Sequence, residues 1–368
     1  MIPISKPNLD EKEKEAVLAV LDSGIIASGP KVKEFEAAFA EYTGVKHAIA
    51  VSNGTCSLHT CMVMNGLGKG DKVITSPFTF IASGNSIIHA GAEPVFADIK
   101  EDSFNIDPDK IEAELKKDWM KKIKAILVVH IYGQVCEMDR ILALADKYNV
   151  KVIEDAAQAV GAKFKGRLAG TFADGGSFSL YATKNITTAE GGMVTTNNDR
   201  AAEIARSFIN HGSEKTYYHT RLGYNYRMTD IEAAIGIVQL KKLDVFNDKR
   251  RKNSVELAAH LRKFPWIAAP AEGKDNFHIY HQFTIRVTNG KRDDVVKMLA
   301  EEGVGAKVFY PIPLHCQPFY KEVLKKIPSL PVSEKAALEV ISLPVHPGLT
   351  DTEKSAIKAA FDKINGRI

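Results

Sequence analysis

Between residues 47 and 155, short apolar runs alternate with helical stretches, and this alternation constrains the fold more than any other feature of the chain. The runs 47–51, 72–75, 94–97, 123–130 and 151–155 read as strands, and the segments 56–64, 82–89 and 139–148 carry helical spacing. Strands separated by helices predict an α/β fold, a mostly parallel sheet with helices on both faces. In such sheets ligands bind beyond the carboxyl ends of the strands. Asp155 lies at one such end, and Ser52-Asn53-Gly54-Thr55 lies at another.

The flanking regions are less regular. Residues 8–21 read as a helix, with Asp10 and Glu13 spaced as a capping box and Ser23-Gly24 as its stop. Gly29-Pro30 reads as a turn. Val32, Phe35, Phe39 and Tyr42 then recur at helical spacing and are expected to pack inward. The polar and aromatic segment Arg221–Arg227 reads as a loop. A long helical pattern from Thr229-Asp230 to about Lys263, with room for a break, holds the expected domain change near residue 245. The division is a large domain over 1–245 and a smaller α+β domain over 246–368. In the latter, 280–287 and 307–310 read as strands and 293–302, 333–340 and 351–364 as helices.

Composition excludes several function classes. A chain of 368 residues with 26% charged residues has room for a substantial core, and its 49 basic and 45 acidic residues are dispersed. Without a basic tract, no nucleic-acid partner is expected. Cys56, Cys61, Cys136 and Cys316 form no CxxC pair, so free thiols and no metal site are expected. His278 and His281 stand three apart without a carboxylate partner and read as structural. No apolar run is long enough to span a membrane, and residues 1–7 carry no apolar signal core, so the expectation is a cytoplasmic protein.

The chemistry concentrates around Ser177–Asn185. This run opens with strand-like alternation and ends at Lys184, ahead of Glu190-Gly191-Gly192 and a second strand-like run, 193–196. A lysine in a turn between two strands can be held against a cofactor aldehyde, and burial beside positive charge favours the neutral amine that a Schiff base needs. The turn Gly54-Thr55-Cys56, between a strand and a helix, offers free amides to a phosphate. Asp155 could face a ring nitrogen, Phe80 could offer an aromatic face, and Ser179 could donate to the same phosphate. Together these parts match the needs of pyridoxal phosphate.

The residues also carry a resemblance. Glu154-Asp155-Ala156-Ala157-Gln158, Thr183-Lys184-Asn185 with Glu190-Gly191-Gly192, Ser52-Asn53-Gly54-Thr55 and Gly223-Tyr224-Asn225-Tyr226-Arg227 resemble the motif set of the DegT/DnrJ/StrS sugar aminotransferases. Further likeness appears at Pro77-Phe78-Thr79-Phe80, Asn210-His211-Gly212 and Tyr310-Pro311-Ile312-Pro313-Leu314-His315. The resemblance implies the aspartate-aminotransferase type of fold and a homodimer with shared active sites. It implies that Lys184 forms the internal aldimine and later moves protons, that Asp155 pairs with the pyridinium nitrogen, and that Gln158 contacts the ring's hydroxyl side. Phe80 would stack on the ring. Gly54, Thr55, Cys56 and Ser179 would hold the phosphate, and Asn225 would reach the phosphate in the neighbouring subunit. Arg227, Tyr310 and His315 fall on the side of the nucleotide-sugar. The expected reaction moves an amino group from an amino acid, glutamate by analogy, to a nucleotide-linked keto sugar, as in amino-sugar and surface-polysaccharide biosynthesis. Cys56 stands where many relatives have alanine, which could add thiol sensitivity.

Three other readings compete. A sugar dehydratase on this fold would carry histidine in place of Lys184. A non-catalytic regulator could have lost Lys184 or Asp155, and both are present. A nicotinamide or nucleotide enzyme would need a glycine-rich loop after a strand, but Gly66-Leu67-Gly68-Lys69-Gly70 follows a helix. Which sugar is aminated, and at which carbon, depends on loop shape around Ile25–Ser28 and Tyr217–Arg227.

Overall fold

A computed structural model describes residues 1–368. A seven-stranded sheet carries the site. Its strands lie in the order His47–Val51, Gly192–Thr196, Gly175–Ser179, Lys151–Asp155, Ile123–Val129, Lys72–Thr75, Glu93–Phe96. The last five run parallel to one another, and Gly192–Thr196 runs antiparallel to both of its neighbours. The fold is therefore α/β with one reversed strand.

Helices cover both faces of this sheet, which is why its strands are buried almost throughout rather than on alternate positions. Successive side chains point to opposite faces. Ala48, Ala50, Ile126, Val128, Val152 and Met193 accordingly join one core with Phe35, Phe39 and Phe178. Ile49, Val51, Ala125, Leu127, Ile153 and Val194 join a second core with Leu58, Cys61, Ile87 and Phe208. A third core packs around the small sheet Ile267–Ala268, Phe283–Val287, Val340–Leu343 and the helices Arg292–Glu301 and Asp351–Asn365. The helix Leu243–Leu261 joins the regions, with Leu243 and Phe246 in the first core and Leu257 and Leu261 in the third. Ile2 also packs against the third core and bridges to Val304. No helix is long and apolar enough to cross a membrane.

Several local readings change. Pro30 is the first residue of the helix Pro30–Thr43 rather than part of a free turn. The carboxylate of Asp230 caps this helix, accepting from the N–H groups of Gly29, Lys31 and Val32 at 2.8, 3.1 and 2.9 Å. The long helical pattern breaks at Lys241-Lys242, into Asp230–Leu240 and Leu243–Leu261. Residues 307–310 form no strand; only Lys307 bridges, to Ser342. The capping box at Asp10 and Glu13 is present, and Gly24 closes that helix in the left-handed conformation.

Candidate active site

The reversed strand creates the site. Because Gly192–Thr196 runs antiparallel to Gly175–Ser179, the connection between them, which contains Lys184, sits over the carboxyl edge of the sheet. Asp155 ends its own strand at that edge, paired with Val129 on one side and Ser177 on the other. A cavity of about 880 Å³ opens there, and Lys184, Asp155, Gly54, Thr55, Cys56, Phe80, Gln158, Ser179 and Tyr310 all line it.

The electrostatics separate the two ionisable groups at its floor. Burial pushes the Lys184 amine down to about 8, and the carboxylate of Asp155 opposes that shift. Burial likewise raises Asp155 above the usual aspartate range, against hydrogen bonds from Ser83 Oγ (2.7 Å) and Ala157 N (3.1 Å). Ser83 Oγ is in turn linked to Thr79 Oγ1 at 3.0 Å. Since Ser83 donates to Asp155, Thr79 must donate to Ser83.

The helix Gly54–Met64 points its N-terminus into the cavity. Asn53 caps it, its Oδ1 accepting from Cys56 N at 2.9 Å. The N–H groups of Gly54 and Thr55 make no hydrogen bond within the chain, which leaves them to an anion. Gly54 is required by close approach: a Cβ there would stand 2.8 Å from Ser179 Cβ. Cys56 reaches the cavity, but its N–H is spent on Asn53. Burial pushes its thiol up, so the expected gain in thiol sensitivity does not follow.

Phe80 leaves 59% of its surface exposed although it lines the cavity, and the ring of Tyr310 lies 6.5 Å away. Gln158 is clamped at both ends, accepting from Tyr132 N at 2.7 Å and donating to Tyr310 Oη at 2.9 Å. The remaining named residues lie elsewhere. Asn225 is exposed and bridges to Asn210, and Arg227 donates to Asn210 Oδ1 at 2.6 Å. His315 is fully buried and does not reach the cavity; its Nε2 lies 3.2 Å from Glu334 Oε1, so a sugar contact through His315 has no support in this geometry.

Sequence reasoning missed Ser83, Thr79 and Lys307, and it set His281 aside as structural. His281 lines the cavity beside Lys184, whereas His278 is buried outside it and stacks on Tyr280 at 3.9 Å. Ser83 stands one helical turn after Phe80, a spacing that would have brought it to the same edge.

The arrangement suits pyridoxal phosphate. It offers an amine with a depressed pKa, a buried carboxylate with few donors, an open pair of helix N-terminal amides and an aromatic face. Comparison with known proteins agrees. The model of the DegT/DnrJ/EryC1/StrS aminotransferase family matches residues 7–362. A GDP-perosamine synthase of Caulobacter vibrioides is 39% identical over 381 aligned positions, covering 99% of this chain and 98% of that protein. A pleiotropic regulatory protein of Geobacillus stearothermophilus is 40% identical, covering 94% of each. The crystal structure of a DegT DnrJ EryC1 StrS aminotransferase from Brucella abortus superimposes with a TM-score of 0.92 at 32% identity, covering 97% of this chain and 96% of that one.

Proposed function

The chain belongs to the DegT/DnrJ/EryC1/StrS aminotransferase family, and from that premise we propose that it transfers an amino group from glutamate to a keto sugar carried on a nucleotide diphosphate. Aminotransferases of this family depend on pyridoxal phosphate. The observation that carries the reading is the joint presence, in one cavity, of the depressed amine of Lys184, the buried carboxylate of Asp155 and the free amides of Gly54 and Thr55.

When bound, pyridoxal phosphate supplies an electron-withdrawing ring that stabilises negative charge at the amine-bearing carbon. Asp155 would meet the ring nitrogen and keep it protonated, which would also relieve the cost of its own burial. Gly54, Thr55 and Ser179 would hold the phosphate, Phe80 would cover one ring face, and Gln158 would lie on the side of the ring oxygen. The free amine of Lys184 would take the proton from the amine-bearing carbon of the donor and pass it on to the cofactor within the same half-reaction, and in the second half it would run this transfer in reverse, delivering a proton to the sugar carbon that receives the amine. A lysine amine held near 8 is close to an effective pKa for this work at neutral pH. Holding it beside the carbon removes much of the entropy cost of the transfer.

The same reading includes a homodimer in which Asn225, exposed and not among the residues lining its own cavity, reaches the phosphate bound by the partner, with Arg227 and Tyr310 on the sugar side. It divides the chain near residue 245, and it places the protein in the cytoplasm, in keeping with four free cysteines. Absorbance of the purified protein tests the function. A visible band that moves to shorter wavelength on adding glutamate is expected. A band unmoved by glutamate would refute the donor. No band, even after adding pyridoxal phosphate, would refute the enzyme reading. Light scattering tests the assembly, and a fully active monomer would overturn the shared site.

A further inference from the structure

A chain of buried amides runs from the body of the protein to the wall of the cavity. Its inner end is the backbone carbonyl of Val160, which can only accept. Asn247 Nδ2 donates to it at 3.1 Å. Asn247 Oδ1 is then free to accept, and Asn185 Nδ2 donates to it at 2.7 Å. That leaves Asn185 Oδ1 as an acceptor, and His281 Nδ1 lies 3.0 Å from it. Each link fixes the next, so His281 Nδ1 must carry the proton. All three side chains are buried, with Asn247 at 1%, Asn185 at 6% and His281 at 8% exposure, so water does not offer an alternative.

The consequence falls on the other ring nitrogen. His281 lines the cavity, and its Nε2 has no partner within the chain. The charges that face the ring are those of Lys184 and Arg250, both positive; with burial, they hold the imidazole well below its ordinary pKa. Arg250 is itself occupied, donating to the carbonyls of Tyr280 and His281 at 3.4 and 3.2 Å. Nε2 is therefore a fixed lone pair at the edge of the cavity. Asn185 directly follows Lys184 in sequence, so the chain that sets the tautomer also anchors the turn that carries the amine.

We propose that His281 is a positioning residue for Lys184: the amine and Nε2 share the cavity wall without bonding in this structure, and when the lysine amine works as a base in the reaction the bare Nε2 accepts a hydrogen bond from it and sets where it points. The assignment rests on the proposed transamination only for its use, since the tautomer follows from the hydrogen-bond chain alone. An imidazolium or the opposite tautomer would present an N–H that engages the amine's lone pair, the pair it needs to act as a base.

Nitrogen-15 NMR of the full-length protein labelled at histidine tests the first half, with His281 assigned by its loss in His281→Asn. At neutral pH the expected spectrum shows a protonated Nδ1 and a bare Nε2; a protonated Nε2 would overturn the proposal. Adding glutamate to the wild-type holoprotein frees the lysine amine, and the Nε2 resonance should then move towards that of a nitrogen accepting a hydrogen bond, a move absent in Lys184→Ala; once the absorbance shift shows that the amine is free, an unmoved resonance would also overturn the proposal. His281→Asn keeps a donor near the Nδ1 position for Asn185 and deletes only the acceptor. Its kcat should fall roughly tenfold with KM within about twofold, because misplacing a reacting group is costly even when binding is intact. An unchanged kcat would sink the positioning role. The tautomer spectrum needs no turnover, so a wild-type protein that failed to transaminate would break the proposed function while leaving the tautomer to its own result.

Discussion

Glu154 and Asp155 are neighbours on one strand, and both are buried, yet the protein treats them in opposite ways. Alternation along the strand sends them to different faces. Glu154 faces inward, where its two oxygens accept from His130 Nε2 (2.9 Å) and from the N–H groups of Gly170 (2.7 Å), Phe172 (2.7 Å) and Ala173 (3.0 Å). Those bonds fold the 170–173 turn onto the strand. Asp155 faces the cavity with two donors, and burial raises its pKa. A carboxylate whose lone pairs are filled by the chain holds the fold together. One that is buried and under-supplied is poised for a positive group from outside.

The sharpest way to break this contrast is to remove the two groups separately. Glu154→Ala leaves three backbone donors and an imidazole without their acceptor. It should cost about 3–5 kcal/mol of stability, visible as a large fall in the denaturation midpoint. A midpoint unchanged from wild type would show that the two carboxylates are not different in kind. Asp155→Asn should behave the other way, with kcat falling roughly 100-fold or more as the partner of the ring nitrogen is lost, and folding intact. A variant with near-normal kcat would remove Asp155 from the chemistry.

The contrast was only partly legible in the sequence. The short apolar runs and the helices between them gave away the sheet, because strands buried on both faces read as nearly continuous apolar stretches. The strand-end position of Asp155 and the Gly54-Thr55 turn could be read for the same reason. What escaped was set by contacts distant along the chain. Pro30 starts a helix because Asp230, 201 positions away from Gly29, caps it. Two histidines lie otherwise than their surroundings in the sequence suggest. His315 belongs to a motif but is buried against Glu334, whereas His281 has no motif and reaches the cavity. Histidine chemistry depends on what the tertiary structure packs around the ring, which spacing does not encode. Spacing could have brought Ser83 to the same edge as Phe80, but only the fold turns its hydroxyl towards Asp155 and that of Thr79 towards Ser83.

pH gives a third and smaller test of the contrast. The carboxyl of Asp155 binds its proton more tightly in the folded chain than in the unfolded one. As pH rises above the usual aspartate range the unfolded state loses its proton first, so this group's contribution to stability falls until the folded carboxyl has also ionised. In cofactor-free protein, Asp155→Asn should therefore gain on wild type as pH rises from about 4 towards neutrality. Lys184 adds the matching effect at the other end. Its folded pKa of about 8 lies below its ordinary value, so the unfolded state binds more protons between the two, and stability from this group rises with pH above about 8. Melting curves of wild type, Asp155→Asn and Lys184→Ala across pH would show both slopes. Parallel curves for wild type and Asp155→Asn would mean that Asp155 carries no such strain.

The smallest expected effect comes from Ser83→Ala, and it separates holding the carboxylate from supplying it. Ser83 gives Asp155 one of its two hydrogen bonds and receives one from Thr79. Removing the hydroxyl should raise the Asp155 pKa further, since that bond favours the charged form. It also leaves Thr79 to find another acceptor, at a cost of about 1 kcal/mol. With the ring nitrogen in place the carboxylate keeps its principal partner, so kcat should fall only a few-fold, far short of the loss in Asp155→Asn. A loss as large as that of Asp155→Asn would mean that Asp155 works only when oriented by Ser83. The unit that differs from Glu154 would then be the Thr79–Ser83–Asp155 relay rather than the carboxylate alone.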